Sequence, residues 1–342
     1  MKEFVKKEAL RIKKDVLKKI LPAIVGFSVI IFLIFQSNAF ELFTIILTVD
    51  LRFFLISILF YIVINLVQSL RIKVVLHSQG YENISALKIF WIHMAGNLMG
   101  DATPGRTGYL SIAYFLKEDV NIRLSHGLHS IPYVHSLDFA IKAITTSLAI
   151  VYLIFTLSIG IEIVRALLIV VGFGIVIAFL LFLVLFGVCP QPIQSLLSRW
   201  TLGKQLLNTL QIFREGTVKT RSVFSFIIGL SLCSWFLWGL CFYALGFSVG
   251  IHLPFLTFMF VYPFASLVSV VPLSIGGIGL VEAGLTGMII LYGVSFEKSL
   301  AFALLTRLVK IIVNVITGAK TLFLRKNRKN HKLNTLNQSD AV

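Results

Sequence analysis

Charged residues are scarce in this sequence, and acidic ones are the scarcest. Asp, Glu, Lys and Arg make up 13% of its 342 residues, against about 25% in soluble proteins. In their place, mostly apolar runs of about 18 residues or more recur, each long enough to cross a hydrocarbon core of about 30 Å. Strands of a membrane barrel would be short and alternating instead. The sequence therefore predicts an all-α, polytopic membrane helix bundle.

Signatures of catalysis and metal binding are missing as well. The three cysteines, Cys189, Cys233 and Cys241, show neither a disulfide framework nor the spacing of a metal site. The sequence contains no phosphate-binding glycine loop followed by Lys-Ser/Thr, no G-x-S-x-G elbow and no H-E-x-x-H helix. We therefore predict no cofactor, no metal ion and no enzymatic activity.

Basic residues outnumber acidic ones, and they lie between the apolar runs. The net charge is +16, yet no recognition helix or stacked-aromatic motif indicates a nucleic-acid partner. With the N-terminus placed in the cytoplasm, the cytoplasmic segments hold 24 Lys and Arg residues and the outer segments hold two. Because cytoplasmic loops are enriched in Lys and Arg, we predict the cytoplasmic membrane as the location, with both termini in the cytoplasm.

Six apolar runs are predicted to cross the membrane completely. They cover residues 20–36, 51–70, part of 124–157, 165–187, 222–247 and 299–319. A basic segment, 1–19, precedes a single transmembrane domain over residues 20–320, whose halves are roughly 20–157 and 165–320. A basic, polar tail follows at 321–342 and is predicted to be disordered.

Two further apolar regions, 84–116 and 254–293, are broken by glycine and proline. The orientation requires each to begin and end on one side of the membrane. In the first region, legs over 86–99 and 109–116 reach only ~21 Å and ~12 Å, which predicts a re-entrant hairpin. In the second, 254–271 is long enough to span, but 280–293 is short. Each half then has the order span, span, hairpin, span from opposite sides, as in an inverted repeat, although no residue-level similarity is visible.

The first broken region contains the sequence GDATPGRTG. Pro104 stops a helix, while Gly105 and Gly108 permit a left-handed backbone and close approach. Arg106 can donate two hydrogen bonds to a phosphate, and Asp101 is interpreted as a counter-ion or gate. This pattern predicts a site for an anionic headgroup. The alternative is an interfacial loop with a snorkelling Arg106.

The second broken region contains the sequence PLSIGGIGLVEAGLTG. Its hairpin backbone is predicted to turn at Gly276, Gly277 and Gly279. Glu282 follows in an otherwise uncharged stretch, and a carboxylate inside the membrane usually faces a partner or a cavity. We interpret Glu282 either as a gating carboxylate for a proton or substrate, or as a structural partner of Arg307.

The last span carries a basic stripe. Arg307, Lys310 and Asn314 fall on one helical face, and the first two lie ~12 Å and ~16 Å deep when counted from residue 299. Such a stripe suits an anion that passes through the membrane. In the alternative interpretation, Glu282 neutralises Arg307 and Lys310 reaches for the inner interface.

The third span holds an acidic residue and a basic residue, Asp138 and Lys142, at positions i and i+4. Because the run 124–157 is too long for one bilayer, we predict a structural ion pair at the inner interface, and Asp138 is also kept as a counter-ion or gate. His93, on the first hairpin, could face the same cavity as Arg106. A packed, hydrogen-bonded histidine is the favoured alternative there.

Two stretches, TPGRTGYLSIAYFLKED and VVPLSIGGIGLVEAGLTGMIILYGVSFEKSLAFALLTRLVK, resemble the signatures of the flippase-like family, the membrane domain of lysylphosphatidylglycerol synthase/flippase proteins. The resemblance implies roles for Pro104, Arg106, Gly108, Gly276, Gly277, Glu282 and Arg307. Family members commonly carry an acidic residue where Tyr109 stands, and an acidic–basic pair where HSLD stands. The resemblance also implies that this chain is a stand-alone member without the aminoacyl-transfer synthase domain. Some stand-alone members are linked to polyprenyl-phosphate sugar pathways.

These observations predict a transporter that flips an anionic lipid, or a lipid-linked (polyprenyl-phosphate) sugar, across the cytoplasmic membrane. Arg106 would take the headgroup phosphate, while Arg307 and Lys310 would hold it near the midplane with Glu282 as gate. Three alternatives stay open: a membrane enzyme, a non-catalytic partner of lipid or glycan synthesis enzymes, and a transporter of small anions. The predicted partners are a membrane lipid and such synthesis enzymes, and a homo-oligomer is compatible with the sequence.

Overall fold

The computed structural model describes residues 21–156, 214–269 and 273–325, together with isolated positions between 162 and 207. Regular structure in this part of the chain is helical, which confirms the predicted all-α class. The predicted basic segment 1–19 and residues 326–342 of the predicted tail lie outside the described residues. So does the predicted span 165–187, apart from isolated positions.

The helices of the described residues are numbered here in chain order. They are α1 (Leu21–Gln36), α2 (Ala39–Leu47), α3 (Leu51–Ser78), α4 (Ala86–Asp101), α5 (Ser111–Val120), α6 (Leu124–Thr156), α7 (Phe224–Ser248), α8 (Phe255–Val268), α9 (Leu280–Ile290) and α10 (Phe296–Asn314). A 3-10 turn, Thr107–Leu110, precedes α5. After α10 the chain continues through a π-helical turn, Val315–Ala319, and stays helical to Arg325.

Several of these helices are long and apolar enough to cross a membrane. Four segments meet this test alone: Leu51–Ser78, Leu124–Tyr152, Arg214–Ser248 and Phe296–Arg325. Helices α1 and α2 meet it only as a pair, and they are bent by 100° relative to each other. The chain is therefore a multi-pass integral membrane protein, with four or five such spans in its described part.

The second span is longer than the sequence predicts. Helix α3 ends at Ser78, whereas the apolar run ends at residue 70. Arg71, which the sequence places in a cytoplasmic loop, lies inside α3 and is fully buried. This correction has a physical reason, because Arg71 is neutralised by an acidic residue of α6 described below.

Both broken regions form helical hairpins. Helices α4 and α5 form the first hairpin, and α8 and α9 form the second, with 16, 10, 14 and 11 residues respectively. At 1.5 Å per residue the longest measures ~24 Å, which is short of a hydrocarbon core of about 30 Å. These lengths support the re-entrant hairpin that the sequence predicts for the first region. For the second region they are a correction, because α8 has only 14 residues and is shorter than the run 254–271 that was long enough to span.

The two halves of the bundle pack in the same way. In the first half α4 packs on α3 and α5 on α6, while in the second half α8 packs on α7 and α9 on α10. The halves also exchange equivalent contacts, since α6 packs on α8 and the π-helical turn after α10 packs on α4. Three phenylalanines, Phe242, Phe258 and Phe302, meet at the centre of the larger apolar core.

Helices α3 and α7 run antiparallel along most of their length. The Asp50 N–H before α3 donates to the Ser248 carbonyl at the end of α7 (2.9 Å), and the Cys241 thiol donates to the Ser57 carbonyl (3.4 Å). Further along, Arg71 donates to the Ser231 hydroxyl (2.7 Å). Because equivalent helices of the two halves point in opposite directions, the halves have the relation expected of an inverted repeat.

The tips of the two hairpins share a backbone conformation. Gly105 and Arg106 have φ of 59° and 56°, and Gly276 and Gly277 have φ of 55° and 74°. Two consecutive left-handed residues therefore turn each hairpin, and the pairs are 171 residues apart in sequence. The sequence shows no such similarity between the halves, because the second left-handed residue is arginine in one hairpin and glycine in the other.

The two tips also bond to each other. Pro104 and Ile275 form an isolated antiparallel bridge, and the Gly276 N–H donates to the Thr103 carbonyl (3.2 Å). A Cβ at Gly276 would overlap the carbonyl oxygen of Asp101, so only glycine permits this approach. Backbone groups that lipid could not satisfy are thus paired inside the protein.

Candidate functional site

A cavity of about 350 Å³ lies beside the first hairpin tip. Helices α3, α4, α6, α7, α8 and α10 supply its other walls. Its polar and charged lining residues are Tyr61, Asn65, Gln68, Asn97, Arg106, Thr107, Tyr109, His135, Asp138, Lys142, Tyr262, Ser266, Ser269 and Lys310. Of the predicted site residues, the lining thus contains Gly105, Arg106, Asp138 and Lys310.

Arg106 is held in a conformation that few non-glycine residues adopt. Its left-handed φ of 56° costs about 1 kcal/mol relative to glycine. The Gly108 N–H donates to the Thr103 hydroxyl (2.7 Å), and a Cβ at Gly108 would overlap the Met99 carbonyl, so the tip is tightly closed. The strained turn brings the Arg106 guanidinium to the cavity wall, where its side chain keeps 36% of its exposure. Strain of this kind is typical of a functional position.

Asp101 joins the first tip to the last helix. One carboxylate oxygen accepts from Arg106 (2.5 Å) and the other accepts from the Asn314 amide (2.6 Å). The Asn314 side-chain oxygen accepts in turn from the Tyr61 hydroxyl (3.1 Å). Asn314 itself is buried, and it lies next to the cavity through these two bonds.

Glu282 and Arg307 form an ion pair, which the sequence left undecided. The Arg307 Nε donates to Glu282 (2.6 Å), and Nη1 donates to the Gly276 carbonyl (3.0 Å). The second Glu282 oxygen accepts from the Gly279 N–H (2.6 Å) and so caps α9. This arrangement fastens the second tip to α10. The structure thus places Glu282, Arg307 and Gly276 at the second tip, outside the cavity lining.

Asp138 pairs with Arg71 and not with Lys142. The Arg71 guanidinium donates to both carboxylate oxygens, with Nη2 at 2.9 Å from Oδ2, while Nη1 also donates to Ser231. The structure therefore corrects the prediction of an interfacial ion pair between Asp138 and Lys142. Helix α6 is a single helix that starts at Leu124, and it carries Asp138 ~21 Å along its axis to the cavity wall.

Two lysines in the cavity have no carboxylate partner among the described residues. The Lys310 ammonium lies over the Trp238 ring (5.1 Å), and the Lys142 ammonium lies over the Tyr262 ring (5.6 Å). The two rings are stacked, with centroids 4.4 Å apart. A ring face attracts a cation without neutralising it. No sequence pattern marks the aromatic pair, because tryptophan and tyrosine on an apolar helix look like ordinary packing residues.

A chain of hydrogen-bonded and packed polar side chains connects several residues of the cavity wall through His93. The His93 ring bonds the Tyr109 hydroxyl through Nδ1 (2.7 Å) and the Asn65 amide oxygen through Nε2 (3.2 Å). Asn97 donates to the same Asn65 oxygen (2.7 Å), and the Tyr109 and His135 rings pack edge to face. His93 thus lies one residue behind the cavity surface. Tyr109 takes part in this chain at the position where this sequence departs from the acidic residue that the resembling family commonly carries.

The described residues bring no three His, Cys, Asp or Glu side chains together as a metal site would require. What the cavity offers instead is fixed positive charge, amide and hydroxyl groups and aromatic faces. Such a lining can bind an anion without covalent chemistry.

Sequence similarity to known proteins extends over the hairpins and the cavity. The sequence profile described as lysylphosphatidylglycerol synthase TM region matches residues 20–318, which include both hairpins and every lining residue. A UPF0104 membrane protein of Pyrococcus horikoshii is 23% identical over 92% of this chain and 98% of its own length. A UPF0104 membrane protein of Methanocaldococcus jannaschii is 25% identical over 65% of this chain and 91% of its own length. No solved structure gives a significant match.

Proposed function

Since this chain belongs to the lysylphosphatidylglycerol synthase TM region family, we propose that it is a flippase-type transporter that moves a lipid with an anionic headgroup between leaflets. The observation that carries the proposal is the cavity beside the first hairpin tip. There Arg106 lies at the wall, and Lys142 and Lys310 have no carboxylate partner in the described part of the chain. Uncompensated cations inside a membrane protein are costly and mark an ion or substrate pathway.

The size of the cavity supports a headgroup as its occupant. At about 350 Å³ it lies at the low end of small-ligand sites, which range over roughly 300–1,000 Å³. A phosphate with a small substituent suits such a volume, whereas two acyl chains or a prenyl chain do not. We propose that the chains stay in the bilayer while the headgroup crosses through the protein.

Arg106 is proposed to receive the phosphate first. Its partner Asp101 also accepts from Asn314, so the carboxylate keeps one hydrogen bond when Arg106 turns to a ligand. A phosphate offers Arg106 the same bidentate geometry as a carboxylate. The exchange of Asp101 for a phosphate would loosen the link between the first tip and α10, which is a movement that alternating access needs.

We propose that the side of the membrane where α5 ends is the cytoplasmic one, following the bias of Lys and Arg toward that side. On this side Arg325 forms an ion pair with Asp119 and lies over the Phe115 ring (4.1 Å), while Lys320 lies over the Trp91 ring (5.4 Å). These contacts hold the described continuation of α10 against the first hairpin. In this proposal they close the cytoplasmic entrance and part when a headgroup enters.

The proposal is tested with purified protein in liposomes that contain a labelled anionic phospholipid. Translocation between leaflets is followed by quenching of the label from outside. Arg106→Gln is expected to abolish translocation, and Arg106→Lys to reduce it. Arg52→Gln is the matched control, because Arg52 is an exposed arginine that also pairs with an aspartate, Asp50.

The outcomes separate the candidate functions. Translocation by the parent and Arg52→Gln, with none by Arg106→Gln, supports the flippase. If folded parent protein moves no lipid but takes up a soluble anion, a small-anion transporter replaces it. If neither moves, a non-catalytic partner of lipid synthesis enzymes, or an enzyme, is favoured.

A further inference from the structure

The fixed charges around the cavity do not cancel. Five cations and three carboxylates lie in or next to it, and each carboxylate pairs with an arginine. The three pairs are Arg71–Asp138, Arg106–Asp101 and Arg307–Glu282. Lys142 and Lys310 remain, and both line the cavity. With both ammonium groups protonated, the surplus among the described residues is therefore two positive charges.

In a low-dielectric site, a ligand binds best when its charge cancels the charge that the protein leaves over. From the two surplus lysines we infer that the group bound in this cavity carries two negative charges, as a phosphate monoester or a diphosphate does. A phosphodiester carries one, so it would leave one ammonium uncompensated. This inference rests on the proposed function and names the substrate class of the same site.

The positions of Lys142 and Lys310 support the inference that the bound group carries two negative charges. Each ammonium lies over one ring of the stacked pair Trp238–Tyr262, so both charges belong to one small part of the wall. Arg106, at the same wall, already has Asp101 as its partner. A lysylated phosphatidylglycerol headgroup carries two amino groups and one phosphodiester, so it would add positive charge to a cavity that already has an excess. The charge count therefore disfavours it.

A matched pair of lipids tests the inference. Phosphatidic acid is a phosphate monoester, and phosphatidylmethanol with the same acyl chains is a phosphodiester that differs by one methyl group. At pH 7 the monoester is mostly dianionic, since the second pKa of a phosphate monoester is about 6. We expect the purified full chain in detergent to bind phosphatidic acid at least about tenfold more tightly, measured by displacement of a labelled phosphatidic acid.

Variants of the two lysines locate the effect. Lys142→Gln and Lys310→Gln are each expected to reduce the preference below about threefold, and Lys142→Arg and Lys310→Arg to retain it. Lys88→Gln is the control, because Lys88 is an exposed lysine of α4 outside the cavity lining, and it is expected to keep the tenfold preference. Each variant is checked for elution as a single folded species. If a glutamine variant does not fold, the test at that position rests on the arginine variant, and loss of the preference in a folded arginine variant would contradict the inference.

The inference and the proposed function fail in different ways. Equal affinity of the parent for the two lipids, with lipid translocation intact, would overturn the charge inference alone. No binding and no translocation of either lipid by folded protein would overturn both. Displacement by inorganic phosphate at concentrations as low as those of phosphatidic acid would support two negative charges but assign them to a soluble anion.

Discussion

Removal of the charge of Glu282 should destabilise the protein far more than removal of the whole ion pair. Glu282 is 1% exposed and accepts from both Arg307 and the Gly279 N–H. Glu282→Gln leaves the Arg307 guanidinium without its counter-ion in a buried site, which costs about 3–5 kcal/mol. In the double variant Glu282→Gln/Arg307→Gln no uncompensated charge remains, so we expect a loss of about 1–2 kcal/mol.

The free energy of unfolding can be measured in mixed micelles with increasing dodecyl sulfate. The double-mutant cycle then gives the coupling between Glu282 and Arg307. Arg52→Gln, which breaks an exposed pair with Asp50, serves as the control and should change stability by less than about 1 kcal/mol. If the double variant is less stable than Glu282→Gln, the carboxylate does not act by neutralising Arg307 and this account of the second tip is wrong.

Three further predictions address the tips and the entrance. Arg106→Gly should be about 1 kcal/mol more stable than Arg106→Ala, because glycine adopts the left-handed conformation without strain; equal thermal stability would refute the strain argument. Gly276→Ala should destabilise by at least about 2 kcal/mol through overlap with the first tip. Gly287→Ala, inside α9 and facing open space, should instead stabilise by up to about 1 kcal/mol; unfolding of both variants in detergent compares them. Asp119→Arg and Arg325→Asp should each speed the labelling of a cysteine placed at Thr107 by an impermeant maleimide from the cytoplasmic side. The double exchange should restore the parental rate, and unchanged rates throughout would show that this pair does not close the entrance.

The hairpins could be predicted from the sequence because the prediction depends on the lengths of the apolar segments and on the orientation of the chain in the membrane. In the first region both legs are too short for a bilayer and are broken at Pro104, so they had to turn inside the protein whatever their neighbours. In the second region only the leg after Gly276 is too short, and the turn followed from the orientation. The contact of Glu282 with Arg307 was one of two interpretations, since a buried carboxylate has few partners available. These features depend on composition along the chain and not on which way a helix faces.

The walls of the cavity could not be predicted in the same way. Helices α3 and α4 are apolar on nearly all sides, and lipid is as apolar as the protein core, so periodicity does not show which face turns inward. Asn65, Asn97 and Trp238 therefore carried no signal. Arg71 was hidden for a different reason: an arginine at the end of an apolar run resembles the cytoplasmic flank of a span, and only Asp138, 67 residues later, keeps it inside.

The hydrogen bond between the two tips also has a consequence for biosynthesis, because the two tips are synthesised at different times. The hydrogen bond between Thr103 and Gly276 cannot form until Gly276 has been synthesised. At roughly 5–20 residues per second, the ribosome needs about 9–35 s to extend the chain from Thr103 to Gly276. During this interval the first tip carries Asp101, Arg106 and backbone groups that lipid cannot satisfy. The first hairpin is therefore expected to stay at the bilayer surface or against an insertase, and to sink only when the second half arrives. For this protein, insertion into the membrane and joining of the two tips are separate events, and the second can begin only after Gly276 has been made.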